Sequence, residues 1–368
     1  MFNKQPLKKI LTLARAQWDC AETRPAVWDN FHRVLVCRTA DLGAEVYASD
    51  TEEKMVYHTC KSRACPSCGW LATELWQRQM RSVLPDVPYV GMVFTMPDVL
   101  WSIFRQNRDL FHDLAVLGAG VIQQWAKSKY GVRLIVMVVP HTFGRHLTFN
   151  SHLHILVSAG GLRLSEGRWI RSLHFDRSAL MHMWRYAVIT YLREALKAQA
   201  LRSDLSAGEL GRILKTQYER WWNIKIDRSM SKSQFLRYAG RYVRRPPIAQ
   251  HRFVEITDGT VRFWTKDLKL KRRVITEYSL GKFVAALAEH IPDRYRHAIR
   301  YFGLLAPRSK NQTSAAAFVL LGQQKRPRPR RLGWAGSLQN CFGVNPLIDN
   351  SGHPMCWVRR LGPATQSM

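Results

Sequence analysis

The 368-residue sequence predicts an α+β fold, an antiparallel sheet covered by helices and preceded by a small helical module built on cysteines. Three observations carry this. Between about residues 87 and 306, β-branched runs and amphipathic stretches follow the order strand, helix, strand, turn, strand, helix. Three of the seven cysteines fall between Cys60 and Cys68. Asp258-Gly259, set between two β-rich runs, marks a tight hairpin.

The elements follow in order. Leu7, Ile10, Leu11, Ala14 and Trp18, then Val27, Phe31, Val34 and Leu35, recur at helical spacing ahead of the cysteines. A helix is expected over 71–83, with Pro85 and Pro88 closing the module. A strand over 89–96 stops at Pro97, and one long helix is expected over 98–130. Strands are expected over 133–139 and 152–158, separated by a loop from His141 to Ser151. Helices are expected over 176–200, 207–222 and 231–244, a hairpin over 252–265 and a helix over 279–290. Beyond about Leu305 the chain turns basic and proline-containing, and Lys325 to Arg331 cannot be helical throughout. The expected division is a cysteine-bearing module over 1–86, an α+β domain over 87–306 and a basic, partly disordered tail over 307–368.

Lys and Arg total 56 against 27 Asp and Glu, a formal charge of +29. Such an excess points to a polyanion, nucleic acid first and an anionic membrane surface second. Hydrophobic residues make up 46% of the chain, which argues against disorder throughout. No uninterrupted apolar run approaches the ~18 residues of a membrane span, and the N-terminus lacks the apolar block of a signal peptide. The expectation is a soluble, intracellular protein. In a reducing compartment clustered thiols suggest metal rather than disulfides.

Cys65-x-x-Cys68 has knuckle spacing, Cys60 offers a third thiolate, and Cys37 is the natural fourth, with His58 and Cys20 as competitors. Zinc is the default ion for such a site. Arg38, Lys61 and Arg63 would offset its charge and meet phosphate. His152-Leu153-His154 places two imidazoles on one face of a strand, with Leu153, Ile155 and Val157 on the other. By itself this is a weak metal signal, equally read as a half-exposed sheet face. Tyr238 and Tyr242, four apart on an expected helix, share a face amid Arg237, Arg241, Arg244 and Arg245. The bland reading is an aromatic core stripe. The sharper one is a pair of phenols to which phosphate is brought.

In order, the cysteine module, Phe94-Thr-Met-Pro97, His141-Thr-Phe-Gly144, His152-Leu-His154, Tyr238-x-x-x-Tyr242 and Tyr301-Phe-Gly-Leu-Leu305 resemble a known family. It is that of the two-tyrosine rolling-circle transposases of bacterial insertion sequences, the insertion-sequence ninety-one family, within the wider HUH endonucleases. The chain departs from it in having no cysteine over 43–56, and in having His146 where an acidic residue is usual. The resemblance implies an HUH core of RRM or ferredoxin-like type. It implies Mg²⁺ or Mn²⁺ on His152 and His154, with His141 or His146 as third ligand. It implies tyrosine attack on single-stranded element ends to give a 5′-phosphotyrosine, with host replication machinery as a possible partner. A plasmid or phage replication initiator would use the same chemistry. A non-catalytic zinc-dependent DNA-binding protein would need the zinc and charge but not the His and Tyr pairs. An RNA-binding protein lacks a recognisable module.

Overall fold

The computed structural model describes residues 5–243, 245–267, 271–307, 313–327 and 334–364. Helices α1 (Pro6–Leu13) and α2 (Pro25–Leu35) each carry proline in the first turn, where a missing N–H leaves nothing unpaired. Their apolar stripes meet over Leu7, Ile10, Leu11, Phe31 and Val34. A hairpin of β1 (Ala44–Ala48) and β2 (Glu53–Tyr57) follows, then α3 (Pro66–Val83). The hairpin was not foreseen in the sequence, because its alternation lasts only five residues a strand. α3 starts five residues earlier than expected, since Pro66 fits the first helical position directly after Cys65.

The central sheet begins with β3 (Tyr89–Thr95). Next come α4 (Trp101–Gln106) and α5 (Arg108–Tyr130) instead of one long helix. The break is Asn107, whose side-chain amide donates to the carbonyls of Ile103 and Arg202 and whose side-chain oxygen accepts from the Arg202 amide. That local bonding competes with helix continuation. β4 (Ile135–Phe143) and β5 (Phe149–Ser158) are both longer than expected, so His141 lies in a strand and not in a loop. A small hairpin, β6 (Gly161–Arg163) and β7 (Arg168–Ile170), leads to α6 (Arg177–Lys197), α7 (Ala207–Thr216), β8 (Ile224–Ile226) and α8 (Lys232–Ala239).

The remaining elements are β9 (Phe253–Ile256), β10 (Thr260–Lys266), β11 (Arg273–Ser279), α9 (Leu280–Ala288) and β12 (Arg300–Gly303). The expected hairpin is β9–β10, and β11 extends it to three strands. This small sheet and α9 bury Val261, Phe263, Phe283 and Val284 against α1 and α2.

The five-stranded sheet has the order β12-β4-β5-β3-β8, antiparallel throughout. Period two sorts its side chains. Val90, Met92, Phe94, Leu153, Ile155 and Val157 face α5 and α6 in the largest core. Tyr89, Met137, Val139 and Leu156 face α3 and α8. The tail carries α10 (Thr313–Leu320), α11 (Trp334–Phe342) and β13 (Cys356–Leu361), and β13 pairs antiparallel with β1, placing Leu361 opposite Ala44. Arg328, Arg330 and Arg331 lie outside the described residues. No helix among the described residues is long and apolar enough to cross a membrane.

Candidate active site and metal centres

The cysteine cluster forms where the turn after α2, the segment after β2 and the start of α3 meet. Cys37, Cys60, Cys65 and Cys68 are all buried and their sulfurs converge. Sγ–Sγ distances are 3.6 Å for Cys60–Cys68, 3.7 Å for Cys37–Cys68 and 3.9 Å for Cys65–Cys37. Four sulfurs held tetrahedrally at about 2.3 Å from one ion would sit about 3.8 Å apart, so the donor set fits zinc. The neighbouring sulfurs push the Cys60 and Cys65 thiols up and the Cys37 thiol down. Zinc binds the thiolate form, so loading such a cluster releases protons. The competitors are elsewhere. His58 bonds the Leu42 carbonyl and Glu45, and Cys20 is exposed beside Thr23.

The second cluster lies on the α3/α8 face of the central sheet. Register places His152 opposite His141 on β4 and opposite Thr95 on β3, and His154 opposite Val139 and Val93. All three imidazoles thus share one face, and one ring nitrogen from each lies within 4.8 Å of the others. His146 is not among them. It faces the small sheet, with Nδ1 3.3 Å from the Thr276 hydroxyl and its carbonyl accepting from Tyr278.

The tautomers follow from hydrogen bonds. His152 Nδ1–H donates to the Asn150 carbonyl at 2.8 Å, leaving Nε2 with its lone pair. That Nε2 is 3.2 Å from His154 Nε2. With bonds of about 2.1 Å, neighbouring donors stand about 3.0 Å apart in an octahedron and about 3.4 Å in a tetrahedron, so a divalent ion fits between them. His141 Nε2–H donates to the Tyr242 carbonyl at 2.9 Å, leaving Nδ1. Burial lowers all three. His141 falls to about 3, helped by the neighbouring His152 charge. At neutral pH they are uncharged donors, the form a metal needs.

α8 brings the tyrosines to this face. Ser231 and Gln234 form a capping box at its start. The helix was expected to reach Arg244 but ends at Ala239, so Tyr242 sits in the following turn, held by Tyr242 N–H to Ala239 carbonyl. Gly240 and the restriction before Pro246 favour this earlier stop. The phenols still meet, with ring centroids 5.1 Å apart. Tyr242 stacks on His154 at 3.8 Å, and the Tyr238 ring lies across Gly91 of β3, where a Cβ would come within 2.5 Å of it. The Arg241 guanidinium stands 4.8 Å from the Tyr238 ring and 5.9 Å from that of Tyr242. Arg237 and Arg63 are exposed, Arg245 donates to the Gly240 carbonyl, and Arg244 lies outside the described residues.

Comparison with known proteins matches the two parts of the chain that hold these clusters. Residues 9–96 match a family model described as "Transposase zinc-binding domain", and residues 135–313 match one described as "Putative transposase". The chain is 32% identical over 360 residues to the transposase for insertion sequence element IS801 of Pseudomonas savastanoi pv. phaseolicola, covering 94% of this chain and 87% of that protein. The chain belongs to the insertion-sequence ninety-one family of transposases. It is also 30% identical over 359 residues to "Putative transposase y4qJ" of Sinorhizobium fredii, with 88% of this chain and 90% of that protein covered. No solved structure gives a significant match.

Sequence reasoning missed three residues of the transposase site. Asp227, just past β8, lies beside Tyr238 and pairs with Lys225 at 2.6 Å. Burial raises the Tyr238 phenol, and the Asp227 carboxylate raises it further. Gly91 supplies the flat strand surface for the Tyr238 ring. Gln77 of α3 donates to the Leu236 carbonyl at 2.8 Å and occupies the space a Cβ at Gly240 would need. The glycine inside the tyrosine segment was the available signal. The close approach it permits is to the zinc-module helix.

Proposed function

We propose that this transposase nicks and rejoins single-stranded DNA at its element ends through tyrosine attack, in a rolling-circle mode. The observation that carries the reading is the convergence of three neutral imidazoles, two phenols and Arg241 on one face of the sheet. His152, His154 and His141 would hold Mg²⁺ or Mn²⁺, which supplies Lewis-acid polarisation of the scissile phosphate. A tyrosine oxygen forms a bond to phosphorus as the bond from phosphorus to the 3′ oxygen breaks. The phenol proton leaves, and the departing strand ends as a 3′-OH. The 5′-phosphotyrosine stores the phosphodiester for rejoining, so no nucleotide triphosphate is spent. Two phenols permit two strand ends to be held in turn. Asp227 accepts the Tyr238 proton, and Arg241 offsets the negative charge that develops on either oxygen.

Cys37, Cys60, Cys65 and Cys68 hold a structural zinc. Arg63, Arg237, Arg241, Arg244 and Arg245 contact DNA phosphates, supplying affinity and register. The names of the full-length relatives favour transposition over replication initiation. The test is incubation with single-stranded oligonucleotides carrying element ends and Mn²⁺, read as a covalent protein–DNA band on denaturing gels. Wild type forms the band, and the double variant Tyr238→Phe/Tyr242→Phe forms none. A band of equal intensity from the double variant would remove the tyrosines from the chemistry.

A further inference from the structure

A cavity of about 150 Å³ opens beside the histidine–tyrosine site and shares His141 and Tyr242 with it. Its walls come from five separate parts of the chain: the cysteine segment over 61–72, the first turns of α5, β4 over 139–143, the segment over 242–247 that carries Tyr242, and the segment over 290–298. Phe111, Pro140, Phe143 and Ile291 supply apolar lining, and Arg63 and Arg245 bring positive charge to it. His112, His297 and Asp293 line it as well. The 290–298 wall is braced from both sides. Arg24 of the N-terminal module pairs with Asp293 at 2.6 Å and donates to the Ile291 carbonyl, while Arg108 of α5 donates to the Glu289 carbonyl.

A mostly apolar chamber of this size is below the ~300–1,000 Å³ that drug-sized ligands fill, so it takes a single ring system. Cations in its lining select a ring attached to a phosphate. The shared His141 and Tyr242 put that phosphate on the strand being cut. We propose that the cavity holds one unstacked nucleobase of the single strand, from the nucleotide next to the cleaved phosphate, with the cysteine segment as one wall. The zinc module thereby takes part in choosing the cleavage position as well as in general DNA binding. A base swung out of a single strand costs little unstacking and is held by apolar and aromatic contacts.

This inference rests on the proposed single-strand chemistry, and two readouts separate them. Covalent-band formation on the unmodified strand with Mn²⁺ reports the chemistry. Fluorescence anisotropy reports the cavity, using the full-length zinc-loaded protein and element-end oligonucleotides with one abasic site stepped along the strand. Abasic substitution at one position should weaken binding about tenfold, the ratio expected of one lost base-stacking contact. In Ala72→Trp, which fills the cavity from α3, that position-specific penalty should shrink below about twofold. A 2-aminopurine at the same position, in wild type, should brighten on binding as it leaves its stacked neighbours. A uniform abasic profile, an undiminished penalty in zinc-replete Ala72→Trp, or an unchanged 2-aminopurine signal would each overturn the cavity assignment, whatever the covalent band shows.

Discussion

The two donor clusters of this transposase are built on opposite plans. The four cysteines are buried, their sulfurs converge on one another, and their spacing matches a closed tetrahedron. The three histidines also sit in buried surroundings, but Tyr242 stacks on His154 and His141 lines a cavity. A closed site has no position left for substrate, whereas catalysis needs an open one. On the proposed function, the difference teaches where each ion's free energy would go: into folding at the cysteines, and into holding a phosphate at the histidines. The two are joined through α3, which starts at Cys65 and Cys68 and reaches the tyrosine segment through Gln77.

The largest effect is therefore expected at the cysteines. Cys65→Ser should release the zinc, measured by metal analysis. Structural zinc in comparable small modules is worth roughly 10–16 kcal/mol, so the module should become protease-sensitive at residues near 37–69. The covalent band should vanish as well, because α3 no longer positions the tyrosine segment. Retention of one zinc per chain would break the comparison at its first term. His154→Ala should behave differently. Band formation should drop by about 100-fold or more, the scale of lost transition-state charge stabilisation. Zinc content should be unchanged. Loss of zinc from that variant would show that the clusters are not separable.

Much of this contrast could be read from the residues. The Cys-x-x-Cys spacing and the His-x-His alternation are local patterns, and chain order alone makes them visible. Placing His141 needed the cross-strand register, which pairs it with His152 and turns His146 toward the small sheet. Sequence could not supply that choice, because it depends on how far β4 runs. Tyr242 illustrates the reverse. Spacing of four residues predicted adjacent phenols, and the phenols are adjacent, but through a turn after Gly240 and not along a helix. Asp227 carries no motif and reaches Tyr238 only because β8 pairs with β3. The tail was harder still. β13 is a six-residue strand whose partner lies some three hundred residues away, and nothing local announces that pairing.

A smaller effect tests the open side of the histidine cluster. At Gly91 an added Cβ would sit 2.5 Å from the Tyr238 ring, against a strand backbone that cannot retreat. Gly91→Ala should displace Tyr238 alone at a packing cost of about 1–3 kcal/mol. Tyr242 stacks on His154 and does not touch that strand position, so a band made through Tyr242 should survive. Combining Gly91→Ala with Tyr242→Phe should lower the remaining band about tenfold below Tyr242→Phe alone. An unaltered band would mean that the Tyr238 ring does not depend on this surface.

The smallest expected effect separates burial from metal. His290 is buried against the β4–β5 connection, outside the trio, with the Thr142 hydroxyl donating to Nδ1 and Nε2–H donating to the Leu147 carbonyl at 2.9 Å. Burial holds it down to about 4 from its ordinary 6.5. A histidine depressed in the folded state binds its proton more readily when unfolded. Stability is therefore complete above pH 6.5 and is lost as pH falls toward 4. Between pH 7 and pH 5 this one residue should cost about 2 kcal/mol, at 1.36 kcal/mol per pKa unit. Urea unfolding of wild type and His290→Gln at both pH values reads the difference directly. The variant, less stable at pH 7, should lose less on going to pH 5. His141 is depressed further by the same cause, so the trio contributes to the residual acid loss in His290→Gln. Because an ion there would compete with protons, adding Mn²⁺ should steepen that residual slope in His290→Gln and not in a His290→Gln/His154→Ala double variant. A slope that Mn²⁺ leaves unchanged in His290→Gln would mean that the trio holds no ion under these conditions.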